Sequence, residues 1–365
     1  MNIKAYMYKL LKNECNVAFI CLFVVTTSLA QNNSIVYNEQ NENHGKIILT
    51  KMISLGGKGD RYENDLYKMT DIKIDNNGNI YLLLGEECQI NKYDRHGNLL
   101  FKTGRKGRGP GELLAPQSLY VTEDQQIYVY DYKKYEIIHF NKLGKYLGAV
   151  KLRHFINDFV ITEKDNIIVL AASPTDKFIT YDKSGKIINT FGEMVNGKIP
   201  METMYLNNGV LACAGTSFYY AATQPYYIYK YTTSGKLLSV ITKKLPYKII
   251  LPDYRISAGD NNTTILTKMT NETKIPQDLC ADKNRVYYLT KQYGNMLSLG
   301  KTIDVFSKEG KYQLSIELEK NTARAISVAN GMMAVIYEPL FIPIPNKNNA
   351  AENNIPYIAL YKMSD

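Results

Sequence analysis

Between residues 71 and 104 the chain reads DIKIDNNGNIYLLLGEECQINKYDRHGNLLFKTG, four short runs of alternating apolar and polar residues separated by turn residues. Period-two alternation interrupted by Asn-Gly and His-Gly predicts four strands joined by tight turns. The same order returns at 118–152 and again at 158–193. Each unit shares a core: Tyr or Phe, usually Asp or Asn, a turn ending in Gly, then a mainly aliphatic strand. It appears as KYDRHGNLL from Lys92, HFNKLGKYL from His139, TYDKSGKII from Thr180, KYTTSGKLL from Lys230 and VFSKEGKYQ from Val305. A fourth unit runs from Glu202 to about Lys244 and a fifth from Asp278 to Leu318. The sixth begins at Ala325 and resumes at Pro356 and Tyr357.

Unit starts fall roughly 40 to 48 residues apart, with one longer interval, which is the length of a four-stranded propeller blade. The sixth copy has no fourth strand before the chain stops, whereas residues 46–57 (KIILTKMISLGG) form an orphan strand at the other end. Gly56 and Gly59 parallel Gly104 and Gly107, at an offset of 48, which fixes that strand's frame. The predicted fold is therefore all-β: a six-bladed β-propeller of four-stranded antiparallel blades, its last blade closed by the N-terminal strand. Closure removes exposed sheet edges and lets residues 46–365 form one domain. Two stretches stand outside the repeat. Residues 245–277 hold two or three extra strand-like pieces, suggestive of a protruding hairpin, and residues 339–356 are rich in Pro and Asn.

Residues 1–30 have the grammar of a secretory signal peptide. Lys4, Lys9 and Lys12 precede nine apolar residues, Val17 to Val25, and Ser28-Leu29-Ala30 supplies small residues for cleavage near Ala30. Residues 31–45 read as a flexible segment, and no run is long enough for a transmembrane helix. The expected location is the periplasm, or the extracellular space or cell surface. The net charge is +9, of which the leader accounts for two. With export expected, nucleic acid is not an expected partner. A basic balance suits anionic glycans or head groups, or simply a charged surface. Beyond the leader the chain keeps Cys88, Cys213 and Cys280, too scattered for a disulfide framework or a zinc site and read as core residues. Their disulfide state is left open.

The loop at residues 107–113 (GRGPGEL) and the stretch from Asp131 to Phe140 and Asn141, ending in Gly144-Lys145, resemble the exported six-bladed β-propeller proteins of Bacteroidetes. These are relatives of NHL-repeat and TolB-like propellers. Leu113 stands where that family usually has Phe, and Asn141 where it usually has Asp. The resemblance implies the fold for essentially the whole chain beyond the leader, and implies no particular activity.

Chemistry is sparser. The glycine loop lacks the Gly-Lys-Ser/Thr of a nucleotide P-loop. It reads as a sharp strand-to-strand turn, or as an anion-binding nest strengthened by Arg105, Lys106 and Arg108, with Glu112 as a cap or salt-bridge partner. Asp75 to Asn79 has a calcium-loop composition but sits where a hairpin turn belongs. His44, His96, His139 and His154 have no zinc spacing, and no Gly-x-Ser-x-Gly elbow occurs. Residues opening the inner strands would face the central channel: Asp71, Ser118, Asp158, Glu202, Asp278 and Ala325. The four acids could hold a cation such as calcium, as in propeller lactonases, or be solvated strand starts. Tyr62, Tyr67, Tyr132, Tyr135, Tyr219, Tyr220, Tyr226 and Tyr227 fall in or near predicted loops, where with Lys133 they could meet a ligand. Two functions follow as expectations. One is a non-catalytic binding or scaffold protein for a glycan, peptide or protein partner, with no cofactor. The other is a metal-dependent hydrolase or lyase working at the channel. Oligomeric state and ligand identity are not legible.

Overall fold

The computed structural model describes residues 34–38, 46–57, 66, 68–197, 200–222, 226–243, 253–259, 262–268, 274–292, 300–318, 322–338 and 356–364. Two strands come first, β1 (Ser34–Asn38) and β2 (Ile48–Gly56). The first blade is β3 (Met69–Ile74), β4 (Ile80–Leu84), β5 (Gln89–Tyr93) and β6 (Leu99–Thr103). The second is β7 (Pro116–Val121), β8 (Ile127–Asp131), β9 (Glu136–Phe140) and β10 (Tyr146–Lys151). The third is β11 (Ile156–Ile161), β12 (Ile167–Ala171), β13 (Phe178–Tyr181) and β14 (Ile187–Phe191). A short helix α1 (Pro200–Leu206) leads into the fourth: β15 (Gly209–Ala214), β16 (Ser217–Ala222), β17 (Ile228–Thr232) and β18 (Leu237–Lys243). A hairpin of β19 (Asp253–Gly259) and β20 (Asn262–Lys268) follows, within the predicted 245–277 insertion. The fifth blade is β21 (Lys274–Ala281), β22 (Arg285–Gln292), β23 (Thr302–Ser307) and β24 (Tyr312–Glu317). The sixth is β25 (Ala323–Ala329), β26 (Met332–Tyr337) and β27 (Tyr357–Ser364), completed by β2.

The first strand of each blade contacts the first strand of the next, from β3 round to β25 and back, so the six blades form a closed ring. Strand β2 pairs antiparallel with β27, from Ile48 opposite Ser364 to Gly56 opposite Tyr357. Six apolar clusters hold the ring, one between each pair of neighbouring blades, instead of one central core. The second strand of a blade is covered by neighbours on both faces. Its side chains are accordingly buried without alternation, as in IYLLL of β4 and IIVLA of β12. Outermost strands have one solvated side and alternate, as in IINTF of β14.

The repeated turn glycine has a double cause. Gly235 sits at φ +96°, a conformation that L side chains rarely adopt, and a Cβ there would lie 2.7 Å from the Phe191 ring of the preceding blade. Gly144 likewise, at φ +78°, would meet Phe101 and Thr103 at 3.0 Å. Changing Gly235 to Ala should therefore cost about 2 kcal/mol or more, read as a fall in denaturation midpoint. A midpoint equal to wild type would contradict the packing role.

Two predictions need correction. Residues 34–38 were expected to belong to a flexible segment. They form β1, which adds to the outer edge of blade four as a parallel fifth strand, Ser34 opposite Ser239 through Asn38 opposite Lys243. The Asn38 amide donates to Thr242 O (2.9 Å) and Gly310 O (3.0 Å) and accepts from Tyr312 N (2.8 Å), tying blade four to blade five. Glu202 does not open the inner strand of blade four. It lies in α1, and that strand begins only at Gly209. Residues 1–30 and the 339–355 part of the second insertion lie outside the described residues. Among the described residues no helix is long and apolar enough to cross a membrane. Cys88, Cys213 and Cys280 are free thiols.

Candidate functional site

Inner strands have a free edge toward the channel, and the backbone N–H groups on that edge need partners. Three aspartates supply them across blade boundaries. Asp71 accepts from Leu119 N of the second blade (2.7 Å) and from its neighbour Ile72 N (2.7 Å). Asp158 accepts from Leu211 N of the fourth blade (2.8 Å), from Phe159 N (2.8 Å) and from the Ser118 hydroxyl (3.3 Å). Asp278 accepts from Ile326 N of the sixth blade (2.8 Å) and from Leu279 N (2.8 Å). The ties thus run from blades one, three and five to blades two, four and six. Between blades six and one, the Ser327 hydroxyl accepts from Ile74 N (3.0 Å). The hydrogen bond to Leu211 N shows that Val210, not Glu202, occupies the position equivalent to the three aspartates.

Lys73, two residues after Asp71 on the same side of β3, places its ammonium 2.8 Å from Asp71 Oδ1. Burial works against its charge, but Asp71, Asp278 and Asp158 outweigh that and hold the ammonium's pKa above its ordinary value. Burial also lifts Asp158 to about 6 and Asp278 to about 7. For Asp278 the Lys73 charge opposes the rise and Asp71 adds to it. Among the described residues no three His, Cys, Asp or Glu side chains gather as a metal site. These groups line a central cavity of about 1080 Å³.

Five of the six inner strands carry a β-bulge at one equivalent position. Pairing skips Thr70 in β3, Gln117 in β7, Asn157 in β11, Gln277 in β21 and Arg324 in β25. All five residues line the cavity, just ahead of the aspartate level. Blade four has no bulge there, and Gly209 pairs in register with Ala222. Gln277 Nε2 donates to Arg324 O (3.0 Å), and Arg324 donates to Met69 O (3.0 Å) and pairs with Glu338. Gln117 and Asn157 are exposed to the channel.

Arg105, Lys106, Arg108, Glu112, Tyr132 and Lys133 do not line the cavity. They belong to the surface of blade two, at the end where β7 begins and β8 ends. The glycine loop wraps its own carboxylate. Glu112 Oε2 accepts from Gly109 N (2.7 Å), Oε1 pairs with Arg105 (2.8 Å), and a Cβ on Gly107 would strike Oε2 at 2.0 Å. Gly109 N, the loop N–H seen to bind an anion, thus binds Glu112. These bonds favour the carboxylate and hold its pKa below the ordinary value, the Gly109 N–H foremost. Asp131, fully buried, accepts from Leu114 N (2.5 Å), Ala115 N (3.2 Å) and Lys134 N (3.1 Å), docking the loop onto the β8–β9 turn. That bond set gives the glycine-loop and Asp131 sequence pattern its physical reason.

Beside the loop, Tyr132 (40% exposed) stacks on Phe155 at 4.9 Å, and Tyr135 packs on the same ring at 4.1 Å. Exposed Lys133 and Arg153 flank this aromatic group. Phe155 precedes the bulge residue Asn157 by two positions, on the loop entering β11. Tyr62 and Tyr67 lie outside the described residues, and three of the other tyrosines fare differently. Tyr219 and Tyr220 are buried within β16, and buried Tyr226 donates to Asp304. Sequence reasoning missed Lys73, Gln117, Asn157 and Phe155. For Lys73 the period of two from Asp71 was an available signal.

A closed ring of six blades of four antiparallel strands around a polar channel, the fourth blade widened by β1, defines a six-bladed β-propeller. Residues 61–288 match the DUF5128 family, described as a 6-bladed beta-propeller, and the chain belongs to that family. A protein of Bacteroides fragilis described as exported superposes with a TM-score of 0.56 at 15% identity, covering 90% of this chain and 99% of that one. A DUF4221 family member from Bacteroides vulgatus superposes with a TM-score of 0.56 at 11% identity, covering 89% and 99%. At these identities the likeness is one of fold. No curated protein matches the chain.

Proposed function

We propose that this chain is an exported, non-catalytic binding propeller, akin to the NHL-repeat and TolB-like groups. The loop face carrying Tyr132, Phe155, Lys133 and Arg153 meets a glycan, peptide or protein outside the cytoplasm. The observation that carries this reading is the engagement of Asp71, Asp158 and Asp278 as backbone caps between blades. Acids held by two or three hydrogen bonds each, whose shared field already holds the Lys73 ammonium, leave little coordination for a metal cation, which speaks against a metal-dependent hydrolase. An exposed aromatic group flanked by cations is suited to contact with a partner. Export is supported by the leader pattern of residues 1–30 and accords with the Bacteroides fragilis neighbour, named "Putative exported protein".

Calorimetric titration of the mature chain with calcium and with manganese should show no stoichiometric site that Asp278→Ala removes. Binding to immobilised cell-envelope glycan and peptide fractions should weaken about tenfold in Tyr132→Ala/Arg153→Glu, whose changed side chains are surface-exposed. A stoichiometric cation lost on Asp278→Ala, with lactone or oligosaccharide turnover lost alongside, would restore the enzymatic reading.

A further inference from the structure

A β-bulge interrupts a ladder, leaves a residue unpaired, and re-aims its side chain. Here the same device recurs at one level of the channel in five blades, and each time the displaced residue can hydrogen-bond: Thr70, Gln117, Asn157, Gln277 and Arg324. Bending the inner strand around the channel would require the bulge but no particular side chain. An apolar residue occupies none of the five positions.

The chemistry of this ring is specific. Carboxamides and a hydroxyl both donate and accept, and they surround the lumen from several directions. The one cation in the ring, Arg324, is already paired with Glu338, so the ring has no unpaired positive charge with which to hold an anion. Gln117 and Asn157 have no hydrogen-bonding partner among the described residues and face the channel. Below them the aspartates at 71, 158 and 278 keep acceptor lone pairs beyond those used by the backbone. Above, the Phe155 and Tyr132 rings lie at the entry to the strand that carries Asn157. Amides and carboxylates arranged around a polar cavity match the vicinal hydroxyls of a sugar.

We propose that the bulge ring is a saccharide-binding site: the end of a neutral oligosaccharide enters the channel and is held by Gln117, Asn157, Thr70 and Gln277. This inference rests on the binding-protein reading and narrows it to one ligand class and one place. The cavity, about 1080 Å³, is at the upper end of what small-ligand sites provide, enough for more than one sugar ring.

The test uses the mature full chain on a printed array of neutral, sulfated and uronate-bearing oligosaccharides, with hits measured by titration calorimetry. A peptide display library is run alongside. Three proteins are compared: wild type, Gln117→Ala/Asn157→Ala and Arg105→Glu/Arg108→Glu. The proposal expects a neutral oligosaccharide to bind wild type and to lose at least about tenfold in affinity in the amide variant, through two lost hydrogen bonds. The melting temperature should not change, because neither side-chain amide has a hydrogen-bonding partner among the described residues. The arginine variant should bind as wild type does. Equal binding by the amide variant would overturn the proposal, as would selective binding of acidic sugars lost with Arg105 and Arg108. Peptides alone as ligands would overturn it while leaving the binding-protein reading intact. Silence on both the array and the library would overturn both.

Discussion

Deleting residues 34–57 should abolish the single cooperative unfolding transition and leave an aggregating protein. Three kinds of interaction go at once. The β1 ladder on β18 and the three Asn38 bonds are lost, and each buried donor or acceptor left without a partner costs about 1–3 kcal/mol. The β2 ladder on β27 is lost along its whole length, exposing a new sheet edge. Ile47 and Leu55 leave the clusters between blades five and six and between blades six and one. Together these approach or exceed the roughly 5–15 kcal/mol by which domains are stable. Scanning calorimetry with size-exclusion chromatography reads the result. A truncated chain that stays monodisperse and melts within a few degrees of wild type would show that the ring closes without its N-terminal strands. Adding a synthetic peptide of residues 46–57 should restore part of the transition, because the vacated position on blade six is an intact edge.

The sequence exposed those parts of the fold that repeat locally. The turn glycine, the aromatic before it and the strand after it recur because each blade needs the same positive-φ turn against the preceding blade, as Gly144 and Gly235 show. Closure of the sixth blade was legible for the same reason: residues 46–57 match a fourth strand and the C-terminus lacks one. What stayed hidden depends on partners far along the chain. Residues 34–38 become a strand through the edge of β18, some two hundred residues later, and a five-residue stretch carries no periodic signal strong enough to announce that. Glu202 was placed on the inner strand by spacing alone, and α1 intervened where blades two and three are entered by a loop. Asp71, Asp158 and Asp278 were visible as channel residues. Their role as caps was not, because each serves an N–H on the next blade. The bulges were equally illegible, since a single skipped residue changes no hydrophobic pattern.

The capping aspartates carry the last prediction, a stability that falls as pH rises through neutrality. Asp158 and Asp278 have folded pKa values of about 6 and about 7, against an ordinary aspartate value of 3.8, chiefly because burial disfavours the carboxylate. A group whose pKa is raised by folding stabilises the fold while it stays protonated there. That contribution is complete below about 4 and is lost as pH climbs through the folded values. The window is therefore roughly pH 4 to 7.5, and each group contributes at most about 1.4 kcal/mol per pH unit within it. Exposed Asp94 and Asp182, whose pKa values are lowered by their turn hydrogen bonds, act in the opposite direction, at lower pH. Urea denaturation between pH 5 and 8 should thus give a midpoint that declines toward the alkaline end. Asp278→Asn should flatten that decline, because an amide does not titrate. It should also lower stability at pH 5, because its NH₂ group faces a backbone N–H that the carboxyl group had satisfied. Asp278→Ala should cost about 2–5 kcal/mol at pH 5 by stranding Leu279 N and Ile326 N. Parallel pH profiles for wild type and Asp278→Asn would refute the assignment. So would a carboxyl carbon resonance of Asp278 that titrates below pH 5. The physical basis is general to a closed ring: its inner strand edges must be capped within a narrow channel, and carboxylates that cap them there lose most of their water.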